Sequence, residues 1–389
     1  MEASWKRSLG VGTLFFLFSR LWVFLAILAA ARFLPLKAPW SLDNPLLAPL
    51  CRWDSGWYLD IINNGYHYAG GQQTAFNVAF FPLYPLSVKL LSQATHLSAP
   101  LVGLFLSNLF LWMALALFHF LVSEESEKSE KFEGLANRAT FFLAFFPTTV
   151  FFSSLYTESL FLLLTLLSFR ALRKKKFLLF GLFGGLASGT RLVGLALALP
   201  GLFALLQEKK PRLLIGLMLL PLGLFLYMTY LWLAFRDPLA FVQASQAPEW
   251  RRSLGIPWLE LLKAPFLSLK GIFSGDFEGS CVNFWFLPLF GTALFSLWNR
   301  ENSGDERSYS LYLIAGSLVP LASNNLDSLS RYLMVLFPAY VAMAAWSKGN
   351  RLFRLAAGHR LGLARLPVRG PLQPRLLGRL IILEVPPTP

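Results

Sequence analysis

The chain has 389 residues, of which 55% are hydrophobic and only 14% charged, with a mean hydropathy of +0.53. A water-soluble fold of that composition would run short of polar surface, so the chain reads as a membrane protein with membrane lipids as partners. The formal net charge is +14, but the cations sit in short runs between apolar segments and near the C-terminus, the pattern of positive-inside topology signals; nucleic acid is not an expected partner.

A spanning helix needs about 20 apolar residues, and on that measure spans fall near 9–34, 97–122, 138–155, 157–172, 212–235, 282–298, 309–323 and 332–347. The first contains Ala29-Ala30-Ala31, which resembles a signal-peptide cleavage site, but its apolar run far exceeds a core of about 7–15 residues, so it reads as an anchor. Segment 177–206 is too long for one crossing and short for two. Basic clusters flank it on both sides, Arg173-Lys174-Lys175-Lys176 and Lys209-Lys210-Pro211-Arg212, so both ends belong on the cytoplasmic face. It therefore folds as two short helices meeting at Ser188-Gly189-Thr190-Arg191. The expected fold class is an all-α multispanning bundle of about ten membrane helices with both termini inside.

That orientation puts 35–95, 237–280 and 324–331 outside. These segments carry Trp40, Trp53, Trp57, Trp250 and Trp258 and the amphipathic stretches 55–63 and 256–273, the pattern of helices lying in the headgroup layer. Inside, 123–137 mixes Glu124, Glu125, Glu127, Lys128, Glu130 and Lys131 and reads as a solvated connector. The chain divides into a membrane domain, 1–347, and a basic cytoplasmic tail, 348–389, whose Arg351, Arg354, Arg360 and Arg365 face anionic lipid. Cys51 and Cys281 both fall on the outer side, where oxidation is permitted. His67, His96, His119 and His359 lack ligand-like spacing, so no metal and no cofactor is expected. There is no Asp-x-Asp pair, Gly-rich phosphate loop or serine-hydrolase elbow.

What remains is a set of polar groups at membrane depth, costly enough to be functional candidates. Arg20 lies in the first span, Glu158 follows Tyr156-Thr157, Arg191 marks the apex of the short pair, and Arg331-Tyr332 opens the last helix. Arg20, Glu158, Arg191 and Arg331 are expected to converge in the outer half of the bundle. The plain alternative is that Glu158 pairs with Arg191 or Arg20 only to hold helices together, and that Arg331 snorkels at a helix end. Asp54, in Arg52-Trp53-Asp54-Ser55-Gly56-Trp57-Tyr58, is the carboxylate placed to act as a general base. Its plain reading is the N-cap of a helix over 55–63.

Arg52-Trp53-Asp54, Gly65-Tyr66, Ala79-Phe80-Phe81-Pro82-Leu83-Tyr84-Pro85, Tyr156-Thr157-Glu158-Ser159-Leu160-Phe161, Thr190-Arg191 and Arg331-Tyr332 occur in an order that resembles the PIG-V-type mannosyltransferases, over about residues 10–345. The resemblance implies a GT-C architecture whose catalytic outer loop is 35–95 and whose loop acid is Asp54. It implies inverting transfer of a sugar, mannose first, from a polyprenyl-phosphate donor to a hydroxyl of a lipid-linked or glycan acceptor on the outer or lumenal face. The setting would be the cell membrane in a bacterium and the endoplasmic reticulum in a eukaryote. Arg331, Tyr332, Arg191, Arg20, Glu158, Trp53 and Tyr84 would then bind the donor phosphate and sugar, and Trp57, Gln246 and Trp250 the acceptor. For the segment from Gln243 through Gln246 to Trp250, sugar binding and interfacial anchoring both stand open. Two rival classes also stand: a lipid or solute transporter with broken helices, and a catalytically silent scaffold for other glycosyltransferases.

Overall fold

The computed structural model describes residues 2–33, 47–71, 75–126, 134–250, 304–323 and 328–349, with residues 252, 255, 256, 259, 262, 266 and 291. Among these there is no strand; the elements are helices. Nearly all of the span near 282–298, most of the stretch 256–273, Trp40, Trp258, Cys281, residues 127–133 of the connector and the tail beyond 349 lie outside the described residues.

Among the described residues two helices are long and apolar enough to cross a membrane, through Ser4–Ala30 in α1 (Glu2–Phe33) and Ala99–Glu124 in α4 (Ala99–Ser126). α1 turns Leu14, Leu17, Phe18, Leu21, Trp22 and Leu25 outward, an apolar surface that lipid would cover. Its other face packs on α4, where Gly12 lets the backbones close: a Cβ there would stand 2.6 Å from the Ala116 Cα. The indole of Trp112 donates to Thr13 Oγ1 at 2.8 Å across the same seam. Close approach through small residues, supplemented by a polar bond, is how helices associate where lipid removes the hydrophobic drive.

Most other helices are short. α2 (Asp54–Asn64) and α3 (Leu83–Thr95) precede α4; α5 (Leu135–Ala144), α6 (Glu158–Arg173), α7 (Phe177–Ser188), α8 (Ala198–Glu208), α9 (Arg212–Leu219), α10 (Leu222–Phe235) and α11 (Ala240–Ser245) follow it. After residues outside the description come α12 (Gly304–Leu321), α13 (Leu329–Met334) and α14 (Pro338–Gly349). α6 is the centre, with Glu158, Phe161, Leu162, Leu166 and Phe169 all buried. A helix hidden on all sides by other helices needs no lipid-facing stripe, which is why its apolar residues run nearly unbroken.

Among the described residues two helices pass by length and composition, or three if the pair α9 and α10, bent by 40°, is one span, so the expected count of about ten is not confirmed. Proline accounts for much of the difference. The segment expected to cross over 138–155 ends its helix at Ala144, before Phe146-Pro147, and continues as a 3-10 turn over Thr149–Phe152. The segment expected over 332–347 is broken between Met334 and Pro338, and Pro221 stands at the bend between α9 and α10. Proline lacks the amide hydrogen and clashes with the preceding turn, a change that a hydropathy window does not register. The two short helices expected in 177–206 are present as α7 and α8, joined through an extended Arg191 and a 3-10 stretch, Leu192–Leu197.

Cys51 carries a free thiol that is 1% exposed, and burial pushes it up to about 12. The thiolate is the reactive form, so at pH 8 Cys51 is expected to react with a thiol reagent far more slowly in the folded protein than after denaturation. Equal rates in the two states would contradict the burial.

Candidate active site

The cluster begins with a chain reversal. Trp53 has φ of 52° and ψ of −118°, a conformation a bulky residue avoids, and α2 starts at the next residue. Such strain persists only where the surroundings enforce it. They do: the Asp54 amide donates to Tyr156 Oη and the Tyr156 hydroxyl to Arg52 O, each at 3.0 Å. The Leu155 amide donates to Leu50 O at 3.2 Å and the Ser55 hydroxyl to Leu155 O at 3.3 Å. The segment before α2 is thereby tied to the segment before α6.

Asp54 and Glu158 are both the first residues of their helices, where unpaired amides and the helix dipole favour a negative charge by about 0.3–1 kcal/mol. Asp54 is not the N-cap that its sequence position allows; Trp53 is, without a side-chain cap bond. The Asp54 carboxylate faces Arg331 instead, with Nη1 2.5 Å from Oδ2. Glu158 Oε1 lies 2.5 Å from Arg191 Nη1 and 3.2 Å from Arg331 Nε; the latter contact is an ion pair without hydrogen-bond alignment. Arg331 therefore spans both acids. Glu158 Oε2 is buried and has no hydrogen-bond partner among the described residues.

Exposure separates the two carboxylates. The Glu158 side chain is 1% exposed and that of Asp54 24%, and Asp54 Oδ1 carries no hydrogen bond among the described residues. Asp54 is thus the acid that a substrate can reach, and Glu158 the one that holds two guanidiniums. Arg191 lies 4.6 Å above the Tyr332 ring, Arg331 5.5 Å from it and 5.1 Å from the Tyr156 ring. Arg252 joins them at 5.5 Å from Tyr332. Arg191 and Arg331 balance Asp54 and Glu158, whereas Arg252 has no carboxylate within ion-pair distance among the described residues. Counted over these described residues, the cluster carries one positive charge in excess.

Beside it lies an aromatic floor. Trp57 is three residues after Asp54 on α2, hence on the same helix face. Its ring stacks on Phe80 at 6.0 Å and meets Trp250 edge-on at 5.5 Å, with Phe80 and Trp250 5.6 Å apart. Trp53 is 62% exposed, 6.0 Å from the Phe151 ring and under the Arg52 guanidinium at 5.3 Å. Gln246 follows α11 and is partly exposed. Gln243, earlier in that segment, is engaged with Asp237 and Tyr68 at 2.8 and 2.9 Å.

Two expected members stand apart. The Arg20 guanidinium donates to Thr149 O, Thr149 Oγ1 and Ser153 Oγ at 3.1, 2.6 and 2.7 Å. It fastens α1 to the 3-10 turn and does not meet Glu158. Tyr84 is fully buried, with its hydroxyl 2.9 Å from Gly103 O and 2.8 Å from Ser107 Oγ, so it ties α3 to α4. Asp60, the second carboxylate on α2, accepts from Asn77 Nδ2 at 2.7 Å and lies 3.5 Å from His67 Nδ1, bracing the loop that returns to α3. Sequence reasoning missed Tyr156 and Arg252. The first sits inside the motif that was noticed for Glu158; the second, next to Trp250-Arg251, bears no mark that separates it from a topology cation.

A family model described as mannosyltransferase (PIG-V) matches residues 14–242. The match includes Asp54, Glu158 and Arg191 and stops before Arg252 and Arg331. GPI alpha-1,6-mannosyltransferase 2 of Cricetulus griseus is 33% identical over 163 residues, and the proteins of that name from Mus musculus and Rattus norvegicus are 32% identical over 163 residues. The matched stretch is 40% of this chain and 31% of each relative, so the chain spans about a third of the length of the curated relatives it matches.

Proposed function

The chain belongs to the PIG-V mannosyltransferase family, and from that premise we propose that it transfers mannose from a polyprenyl-phosphate donor to a hydroxyl of a lipid-linked or glycan acceptor. The observation that carries this reading is Asp54, a partly exposed carboxylate held 2.5 Å from Arg331 beside Arg191 and Arg252. In the proposed step Asp54 Oδ1 takes the proton of the acceptor hydroxyl, whose oxygen forms the new bond to the anomeric carbon. The bond from that carbon to the phosphate oxygen breaks and the phosphate leaves with the electron pair. With one accessible carboxylate in the cluster and no second one placed as a nucleophile among the described residues, displacement inverts the anomeric centre. The leaving phosphate gains charge as the bond breaks, and guanidiniums suit it through planar paired hydrogen bonds.

The acceptor sits on the Trp57, Phe80 and Trp250 rings, where sugar faces and lipid both find apolar contact, with Gln246 at the edge of the same region. Trp53 shields the outer side, and Tyr84 and Arg20 act behind the site by fixing α3, α4 and α1. The bundle is of the GT-C type, with the site on the outer or lumenal face. The excess guanidinium of Arg252 supports a phosphate rather than a neutral ligand. No metal is called for, because the charge that a divalent ion would hold is already met by arginine.

The test is transfer of label from polyprenyl-phosphate-mannose to glycolipid acceptors by purified protein, with a nucleotide-linked mannose as the comparison donor. Transfer from the nucleotide donor alone would reject the donor assignment, and EDTA is expected to leave the rate within about twofold. Arg252→Gln is expected to raise the donor KM about 10- to 100-fold, the loss of a charge-assisted contact of about 1.5–3 kcal/mol, with a smaller effect on kcat. An unchanged donor KM would remove Arg252 from the phosphate site.

A further inference from the structure

At the other end of α6 from Glu158 lies a cavity of about 250 Å³. α6 has 16 residues, so it is about 24 Å long at ~1.5 Å per residue, against a hydrocarbon layer of about 30 Å. The buried part of the lining has the apolar Phe169 and Phe177 beside the hydroxyl-bearing Ser308 and Tyr309, and Leu172 and Ala204 extend the apolar side. The exposed part is polar, with Lys175 and Gln207, Glu208 also lines it, and Arg173 lies between the two parts.

Arg173 is fixed in the wall. Its Nη1 donates to Leu121 O at 3.2 Å and its Nη2 to Tyr309 Oη, with the guanidinium 5.1 Å above the Tyr309 ring. Lys175 lies 2.7 Å from Glu208, which also faces Lys210 at 3.3 Å, and Lys174 pairs with Glu124 at 3.0 Å. Lys176 and Lys209 are exposed and have no carboxylate within ion-pair distance among the described residues. Two of these lysines occupy unusual backbone: Lys175 follows α6 with φ of 55° and Lys209 follows α8 with φ of 49°.

We propose that this cavity binds a phosphate-bearing ligand, and that its source is the headgroup of an anionic phospholipid in the leaflet opposite the candidate active site. The phosphate oxygens meet Arg173 and Lys175, whose donors suit them, and the glycerol and first chain carbons lie on Phe177 and Ala204. A free phosphate would use the cations but not the apolar lining, which is why an amphiphile fits better. The site is independent of the transfer reaction and of any assignment of Asp54.

The experiment uses full-length protein in nanodiscs of phosphatidylcholine and reads thermal unfolding as ligands are added. Dihexanoyl-phosphatidylglycerol is expected to raise the midpoint by several degrees, and dihexanoyl-phosphatidylcholine to raise it little. Lys175→Gln should remove most of the rise. Ala204→Phe should do the same with no change of charge, by filling the cavity, while Lys176→Gln, which removes the same charge outside it, should keep the rise. If Lys176→Gln loses as much as Lys175→Gln, or if Ala204→Phe keeps the full rise, the response is a diffuse basic surface and the site fails. Equal rises from the two lipids also overturn it. Inorganic phosphate matching the phosphatidylglycerol analogue at equal concentration, with the same dependence on Lys175, would keep the phosphate site and overturn the lipid as its source.

Discussion

Asp54→Asn is expected to lower mannosyl transfer by about 10²–10⁴-fold, the usual contribution of a positioned general base, while leaving the protein folded and able to bind donor. The amide matches the carboxylate in size and keeps the first position of α2, so the Trp53 reversal and the Tyr156 bond to the Asp54 amide are preserved. Arg331 loses one of its two counter-charges but retains Glu158 at 3.2 Å, and at 24% exposure the Asp54 position is wet enough for water to make up part of the loss. The site is left more positive, so donor binding should hold or tighten. The measurement is initial transfer rate beside donor binding and thermal midpoint. A mutant that keeps more than about a tenth of wild-type turnover is incompatible with Asp54 as base. If vesicles containing the mutant move a labelled lipid or solute at full speed while wild type shows no transfer, the transporter class gains over the enzyme.

The parts of this site that could be read from sequence are those that act at short range. Trp53-Asp54, Tyr156-Thr157-Glu158, Thr190-Arg191 and Arg331-Tyr332 each place a charge beside an aromatic or a helix break within apolar surroundings, and charge at membrane depth is rare enough to be visible without any structure. Which charge meets which was not readable. Arg20 and Arg331 look alike on paper, an arginine inside an apolar run. Arg20, however, finds its oxygens in Ala144, Thr149 and Ser153, more than a hundred residues away in sequence, while Arg331 finds two carboxylates. Hydropathy located α1 and α4 and the break between α7 and α8. It joined α5 to the 3-10 turn and α13 to α14 because it sums apolar content and does not register where Pro147 and Pro338 interrupt the hydrogen-bond ladder.

The second large effect is expected at Arg331, and the choice of replacement decides what is learned. The side chain is 8% exposed and lies between Asp54 and Glu158, so Arg331→Ala would leave Glu158 with Arg191 alone and Asp54 with no ion-pair partner among the described residues. Removing one partner of a buried ion pair typically costs about 3–5 kcal/mol, because the other charge stays desolvated. Arg331→Ala should therefore lower the thermal midpoint as well as abolish transfer, and by itself it separates nothing. Arg331→Lys keeps the charge and most of the length but replaces a planar fork with a point charge that cannot bridge two acids and a phosphate at once. Its midpoint should stay near wild type while transfer falls about 10-fold or more, the loss of one contact of about 1.5 kcal/mol or greater. The companion variant is Arg252→Lys, at a guanidinium that bridges no carboxylates, where lysine should recover most of the donor KM that Arg252→Gln loses. If Arg331→Lys equals wild type over a full donor-concentration curve, Arg331 is a structural counter-ion only, and the phosphate falls to Arg252 and Arg191.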